Sequence, residues 1–168
     1  MQHKLITLFV VMLAVIAGCV ESSSKKLSGI DAQRQESLVI ERGRQVVKTM
    51  GCNDCHTPDY MIKRSNIPEE DWLVGSTLGF RGPYGTTYPS NLRLLLNNMT
   101  EDEWLILAKQ MREDSPMAWL MLPQTADQDL RAVYKFVKHL GPRGNPALSR
   151  LPAGVLPTTQ YIDYPDPH

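Results

Sequence analysis

Net charge is the first thing this 168-residue chain lacks: 18 Lys and Arg stand against 18 Asp and Glu. A nucleic-acid binder needs a concentrated basic face, so no nucleic-acid partner is expected. Cysteine is scarce as well, with only Cys19, Cys52 and Cys55 present. There is no second Cys-x-x-Cys pair, and His139 and His168 are poorly placed to complete a four-ligand zinc site. The longest apolar run, Leu5 to Gly18, is broken only by Thr7 and is short of the roughly 20 residues of a membrane-spanning helix. No internal repeat is present, and no acid–base or nucleophilic constellation stands out.

What the N-terminus does have is the three-part pattern of an export signal. Met1-Gln2-His3-Lys4 is a short basic start, the apolar run follows, and Ile16-Ala17-Gly18-Cys19 ends it. That ending resembles the lipobox of bacterial lipoproteins, with Ile16 where leucine is commoner. The resemblance implies that residues 1–18 are removed and that Cys19 becomes the lipid-bearing first residue. An uncleaved anchor and an ordinary cysteine are the competing readings. The expected location is the periplasmic side of a bacterial membrane, held there by lipid. Residues 19–35, with Ser22-Ser23-Ser24-Lys25-Lys26, read as a polar tether.

Residues 36–141 hold the helical periodicity. Leu38, Val39, Arg42, Val46 and Met50 recur near helical spacing over Ser37–Met50, with Gly43 inside. Residues 57–90 are rich in Pro and Gly and read as one long irregular segment, a length that is usually functional. Thr100 and Glu103 form a capping box ahead of the stripe Trp104, Leu107, Ala108 and Met111. Thr125 to Gln128 repeats that start signal. Leu130, Val133, Tyr134, Val137 and Leu140 make the next apolar face, and Gly141-Pro142 stops it. Residues 142–168 form a Pro-rich tail expected to run extended over the surface.

The chemistry sits at Cys52-Asn53-Asp54-Cys55-His56. Two thiols on one turn can reach two vinyl groups of a porphyrin, and an imidazole directly after can reach its iron. A thioredoxin-like dithiol also uses Cys-x-x-Cys but belongs with a βαβ pattern, whereas here a helix precedes and a Pro/Gly-rich loop follows. A disulfide across two intervening residues is strained. The expected cofactor is one covalently attached haem c with its iron. Cys52 and Cys55 would be the attachment points and His56 the axial ligand.

At these residues, across about 36–141, the chain resembles the class I c-type cytochromes. Gly43, the Cys52–His56 motif and Leu130-x-Ala132-Val133-Tyr134-x-Phe136-Val137 carry the likeness. The resemblance implies an all-α domain of three main helices with long haem-wrapping loops, and Gly43 packed near Tyr134 or Phe136. The chain is more specifically similar to single-haem domains associated with periplasmic dehydrogenases. Pro116-Met117-Ala118-Trp119 stands where that family has Pro-Met-Pro followed by an aromatic.

A sixth iron ligand has to come from a loop facing His56. Met50 and Met61 are too close to the motif, Met99 suits a staple on Trp104, and Met111 lies on the apolar stripe. Met117 and Met121 remain, and the family position is that of Met117. Arg81, Trp72, Tyr84, Tyr88 and Asn91 are candidates for the haem propionates, with ordinary packing as the alternative. The expected function is single-electron transfer, without catalysis of its own, between a periplasmic dehydrogenase or respiratory donor and an acceptor such as a terminal oxidase. The alternatives are a haem sensor or peroxidase-like enzyme with an open sixth position, and an accessory protein in which haem is structural. A dihaem peroxidase would need a second Cys-x-x-Cys-His, which is absent.

Overall fold

A glycine inside a helix costs about 1 kcal/mol relative to alanine, and a close crossing with another helix can offset that. Gly43 is such a position. In the computed structural model, which describes residues 29–63, 66–110 and 122–164, residues 39–49 form a helix, α1. It crosses α6 (Asp127–Leu140) so closely that a β-carbon on Gly43 would lie 2.0 Å from the Ala132 carbonyl oxygen. The same β-carbon would lie 2.7 Å from Phe136 Cβ, so the resemblance's choice between Tyr134 and Phe136 falls on Phe136. Arg42 pairs with Asp129 across the crossing. Arg44 forks onto both carboxylate oxygens of Glu69, at 2.6 and 3.0 Å, while its guanidinium lies 5.2 Å from the Phe136 ring centre.

These contacts belong to the larger of two units, Val39–His168. The smaller, Met1–Leu38, is described from residue 29 and is helical over 29–38, which includes the end of the expected tether. Residues 1–28, Cys19 among them, lie outside the described residues. No helix among the described residues is long and apolar enough to cross a membrane.

In the larger unit α2 (Cys52–His56) and α3 (Tyr60–Lys63) follow α1. A 3-10 turn at Glu69–Asp71 leads to the hairpin β1 (Gly79–Gly82) and β2 (Gly85–Thr87). Then come α4 (Leu92–Asn97), α5 (Glu101–Lys109) and, after a 3-10 turn at Leu122–Gln124, α6. The helix starts repay attention to chemistry. Thr100 and Glu103 form the expected capping box on α5. Thr125 does not cap α6. That helix starts one residue later, with Ala126 at its N-cap, and the Thr125 hydroxyl turns to Met50 Sδ, 3.7 Å away. Gly141, at φ 71°, ends α6 as expected. The core gathers Val47, Trp72, Leu96, Trp104, Leu130 and Phe136 between these helices, and Trp104 Nε1 donates to Leu130 O at 2.9 Å.

The all-α expectation is wrong: the domain is mixed, because a three-stranded sheet of order β2-β1-β3 stands beside the helices. β3 (Tyr161–Asp163) comes from the Pro-rich tail and pairs parallel with β1, Phe80 opposite Ile162. β1 and β2 pair antiparallel, Phe80 opposite Thr87. On the far side of β2, Leu151 exchanges both backbone bonds with Thr86, at 2.9 and 3.0 Å. The expected irregular segment therefore contains two strands, and the expected surface tail supplies a third. Gly85, at φ 105°, permits this closeness: a β-carbon there would fall 2.1 Å from Leu151 O.

Candidate functional site

Positions i, i+3 and i+4 of a helix share a face. In α2 these are Cys52, Cys55 and His56, so one helical turn presents two thiols and an imidazole together. Both cysteines are free and part-buried. Asn53, on the other side, is buried in the protein. Gly51, at φ 69°, gives the chain its entry into this turn straight from α1.

The back of α2 is tied into the fold by four polar contacts. Thr57 Oγ1 donates to Asn53 Oδ1 at 2.8 Å and accepts from Leu73 N at 2.8 Å. Gly75 N donates to His56 O at 2.8 Å. His56 Nδ1 lies 2.7 Å from Ser90 O. A carbonyl can only accept, so the bonded tautomer carries its proton on Nδ1. That leaves Nε2 with the lone pair, and no described residue bonds it. Leu73, fully buried, holds φ 62°, a costly conformation for a bulky residue. It is kept there by the Thr57 contact on its N–H and by Leu92 N on its carbonyl, at 3.0 Å.

Thr57→Val keeps the volume but leaves the Leu73 N–H and Asn53 Oδ1 unpaired in the interior. Each such group costs roughly 1–3 kcal/mol. The expected loss is about 2 kcal/mol in urea denaturation, and a variant within 0.5 kcal/mol of wild type would mean these bonds carry little.

Electrostatics separates the candidate chemistries. Burial pushes the Cys52 thiol up to about 12, and the neighbouring charges of Cys55 and Asp54 push the same way. Cys55 is raised too, by burial and then by Asp54. Both are neutral thiols at pH 7, the reverse of the lowered thiolates of a dithiol oxidoreductase. Burial lowers His56, against the opposing Ser90 contact, so its imidazole is neutral and fit to be a ligand. Among the described residues no group of three or more His, Cys, Asp or Glu could hold a metal ion. A haem needs only the three side chains that α2 presents, plus one ligand from elsewhere. The free thiols on one face and the anchored ring with Nε2 unbonded fit that group.

The sixth-ligand candidates Met117 and Met121, and Met111 with them, lie outside the described residues. Of the propionate candidates, Trp72 donates its indole N–H to Ile67 O at 3.1 Å. Asn91 spends both amide hydrogens on Arg143 O and Asn145 O, at 2.7 and 3.0 Å. Neither has a side-chain N–H left for a carboxylate. Arg81 pairs with Asp163 and stacks over the Tyr161 ring, and Tyr88 OH meets Thr159 Oγ1 at 3.4 Å. Tyr84 is exposed.

Ser90 and Thr57 carry roles at this site that the sequence reading did not assign. Ser90 acts through a backbone carbonyl, which leaves no trace in sequence. Asn91 ahead of an apolar run is a readable N-cap signal, and its side chain does accept from Leu94 N at 3.0 Å. Comparison with protein-family models, with curated proteins and with solved structures gives no match.

Proposed function

We propose that this chain is a lipid-tethered, single-haem c-type cytochrome that passes electrons one at a time on the periplasmic side of a bacterial membrane. One observation carries the reading: Cys52, Cys55 and His56 lie on one face of a helical turn, with His56 bonded at Nδ1 to Ser90 O so that Nε2 is the atom offered. Cys52 and Cys55 would hold the porphyrin through thioethers, and His56 Nε2 and Met117 would hold the iron. Bound there, the haem supplies a one-electron couple at its iron. The protein's part would be to keep a neutral imidazole in one orientation and to supply the Met117 thioether as a further ligand. A methionine ligand together with histidine would raise the potential, which suits a carrier that accepts electrons from a periplasmic dehydrogenase and hands them to an oxidase. The lipid on Cys19 keeps it near both.

The test is spectroscopic. Ferric and ferrous visible and near-infrared spectra of the haem-loaded protein should show a sulfur-to-iron charge-transfer band and no carbon monoxide adduct. Met117→Ala should abolish the band, and Met121→Ala should keep it. A high-spin ferric spectrum with ready carbon monoxide binding would sink the carrier reading in favour of a sensor or peroxidase-like enzyme.

A further inference from the structure

A hydrogen bond to a carbonyl holds a ring only as firmly as the carbonyl's own peptide is held. Ser90 O, which accepts from His56 Nδ1, belongs to the peptide that joins Ser90 to Asn91. Asn91 is 3% exposed and its side chain makes three hydrogen bonds. Its Oδ1 caps α4 by accepting from Leu94 N. Its two Nδ2 hydrogens go to Arg143 O and Asn145 O, just past the end of α6. Gly144, between those two acceptors, takes φ 80°, and a β-carbon there would stand 3.1 Å from Asn91 Nδ2 and 3.3 Å from Val74 Cβ. From the other side Gly75 closes in: a β-carbon on it would lie 3.0 Å from both Asn91 N and Pro89 O. Gly75 itself donates to His56 O. The peptide that orients His56 is thus held between two left-handed glycines, one next to the motif and one in the tail.

We propose that Asn91 is a positioning residue for His56, and that residues 143–145 are the outer half of the device that fixes the imidazole. A helix cap alone needs only the Oδ1 contact. The two donations to the tail do nothing for α4, and they bear on the peptide whose carbonyl His56 uses. A firm Nδ1–H···O bond makes an imidazole a stronger donor to a metal and favours its higher charge state. Loosening the Ser90 peptide weakens that bond and shifts the balance toward the reduced form.

This rests on the haem reading, and the experiment keeps the two apart. Covalent haem is counted first in wild-type protein by the pyridine haemochrome spectrum. Midpoint potential, the His56 Nδ1 proton resonance of the ferrous protein, and Tm are then measured for two variants. Asn91→Ser keeps an oxygen for Leu94 N and removes both donations to the tail. Gly144→Ala crowds the same contact from the tail and leaves Asn91 in place, so it carries the test if Asn91→Ser does not fold. Tyr134→Phe, which removes the 2.9 Å bond to Met99 O, serves as a control for destabilisation elsewhere. The expected result is a positive shift of potential and a displaced Nδ1 resonance in both variants, with neither in the control. Lower Tm with wild-type potential and resonance would leave Asn91 a helix cap and overturn the proposal. Wild-type protein without covalent haem would overturn the parent reading, and this one with it.

Discussion

Gly43→Ala is expected to destabilise the domain by about 3 kcal/mol or more, although alanine is the better helix former by about 1 kcal/mol. The new β-carbon would stand 2.0 Å from Ala132 O, 2.6 Å from Ala132 C and 2.7 Å from Phe136 Cβ. The first two are backbone atoms of α6, so no rotamer change relieves the overlap and the two helices must separate. Overpacking of this kind typically costs 1–3 kcal/mol, and more where backbone is what has to yield. The damage also spreads. Phe136 meets Trp72 edge-on at 6.4 Å, Trp72 meets Tyr60 at 5.9 Å, and Tyr60 opens the helix that follows the motif. Urea denaturation measures the loss. A midpoint equal to or above wild type would show that α1 and α6 do not cross as closely as described.

Arg93→Met should cost about 3–5 kcal/mol, because it takes the donor away from three backbone carbonyls at once. Arg93 is 4% exposed, and no carboxylate is bonded to it among the described residues. Its charge is met by backbone instead: Nε donates to Gly141 O, Nη1 to Glu70 O and Nη2 to Leu140 O. Two of those acceptors close α6, where unpaired carbonyls and the negative end of the helix dipole favour a cation. Burial lowers its basicity and Arg143 adds to that, with Asp71 opposing, yet a guanidinium stays charged throughout the working range. Methionine fills the space but leaves three carbonyls without a donor, at roughly 1–3 kcal/mol for each one that water cannot reach. Against a total stability of about 5–15 kcal/mol that is a large fraction. Arg93→Lys should recover only part of it, since one ammonium cannot copy the planar fork. Thermal unfolding of the two variants decides the matter, and a methionine variant within 1 kcal/mol of wild type would show these contacts to be dispensable.

The helical half of the fold was legible because its signals are local. Thr100 and Glu103 sit in a capping box, Gly141 ends an apolar face, and Gly43 interrupts a helix for a packing reason that only a crossing partner supplies. The sheet was not legible. Gly79-Phe80-Arg81-Gly82 and Gly85-Thr86-Thr87 are short and rich in glycine, with no alternation to read, and their third strand lies at the other end of the chain. Thr125 misled for a different reason. Its hydroxyl fits the start signal but is directed to Met50, so tertiary context moved the helix start by one residue. The motif itself was plain in sequence, while what holds it was not. Ser90 contributes a carbonyl, and Thr57 contributes a hydroxyl shared between Asn53 and the Leu73 N–H, a pairing that no local pattern announces.

The pairing of β1 with β3 also sets an order of events in time. Arg81 and Asp163, joined across these strands, stand 82 positions apart. A chain delivered to its folding compartment N-terminus first presents Cys52–His56 well before it presents β3. Until β3 arrives the hairpin has an open edge, and until residues 143–145 arrive Asn91 lacks both acceptors of its amide hydrogens. The newborn motif is therefore a loosely held turn, and it becomes a fixed one only when the last stretch of chain arrives.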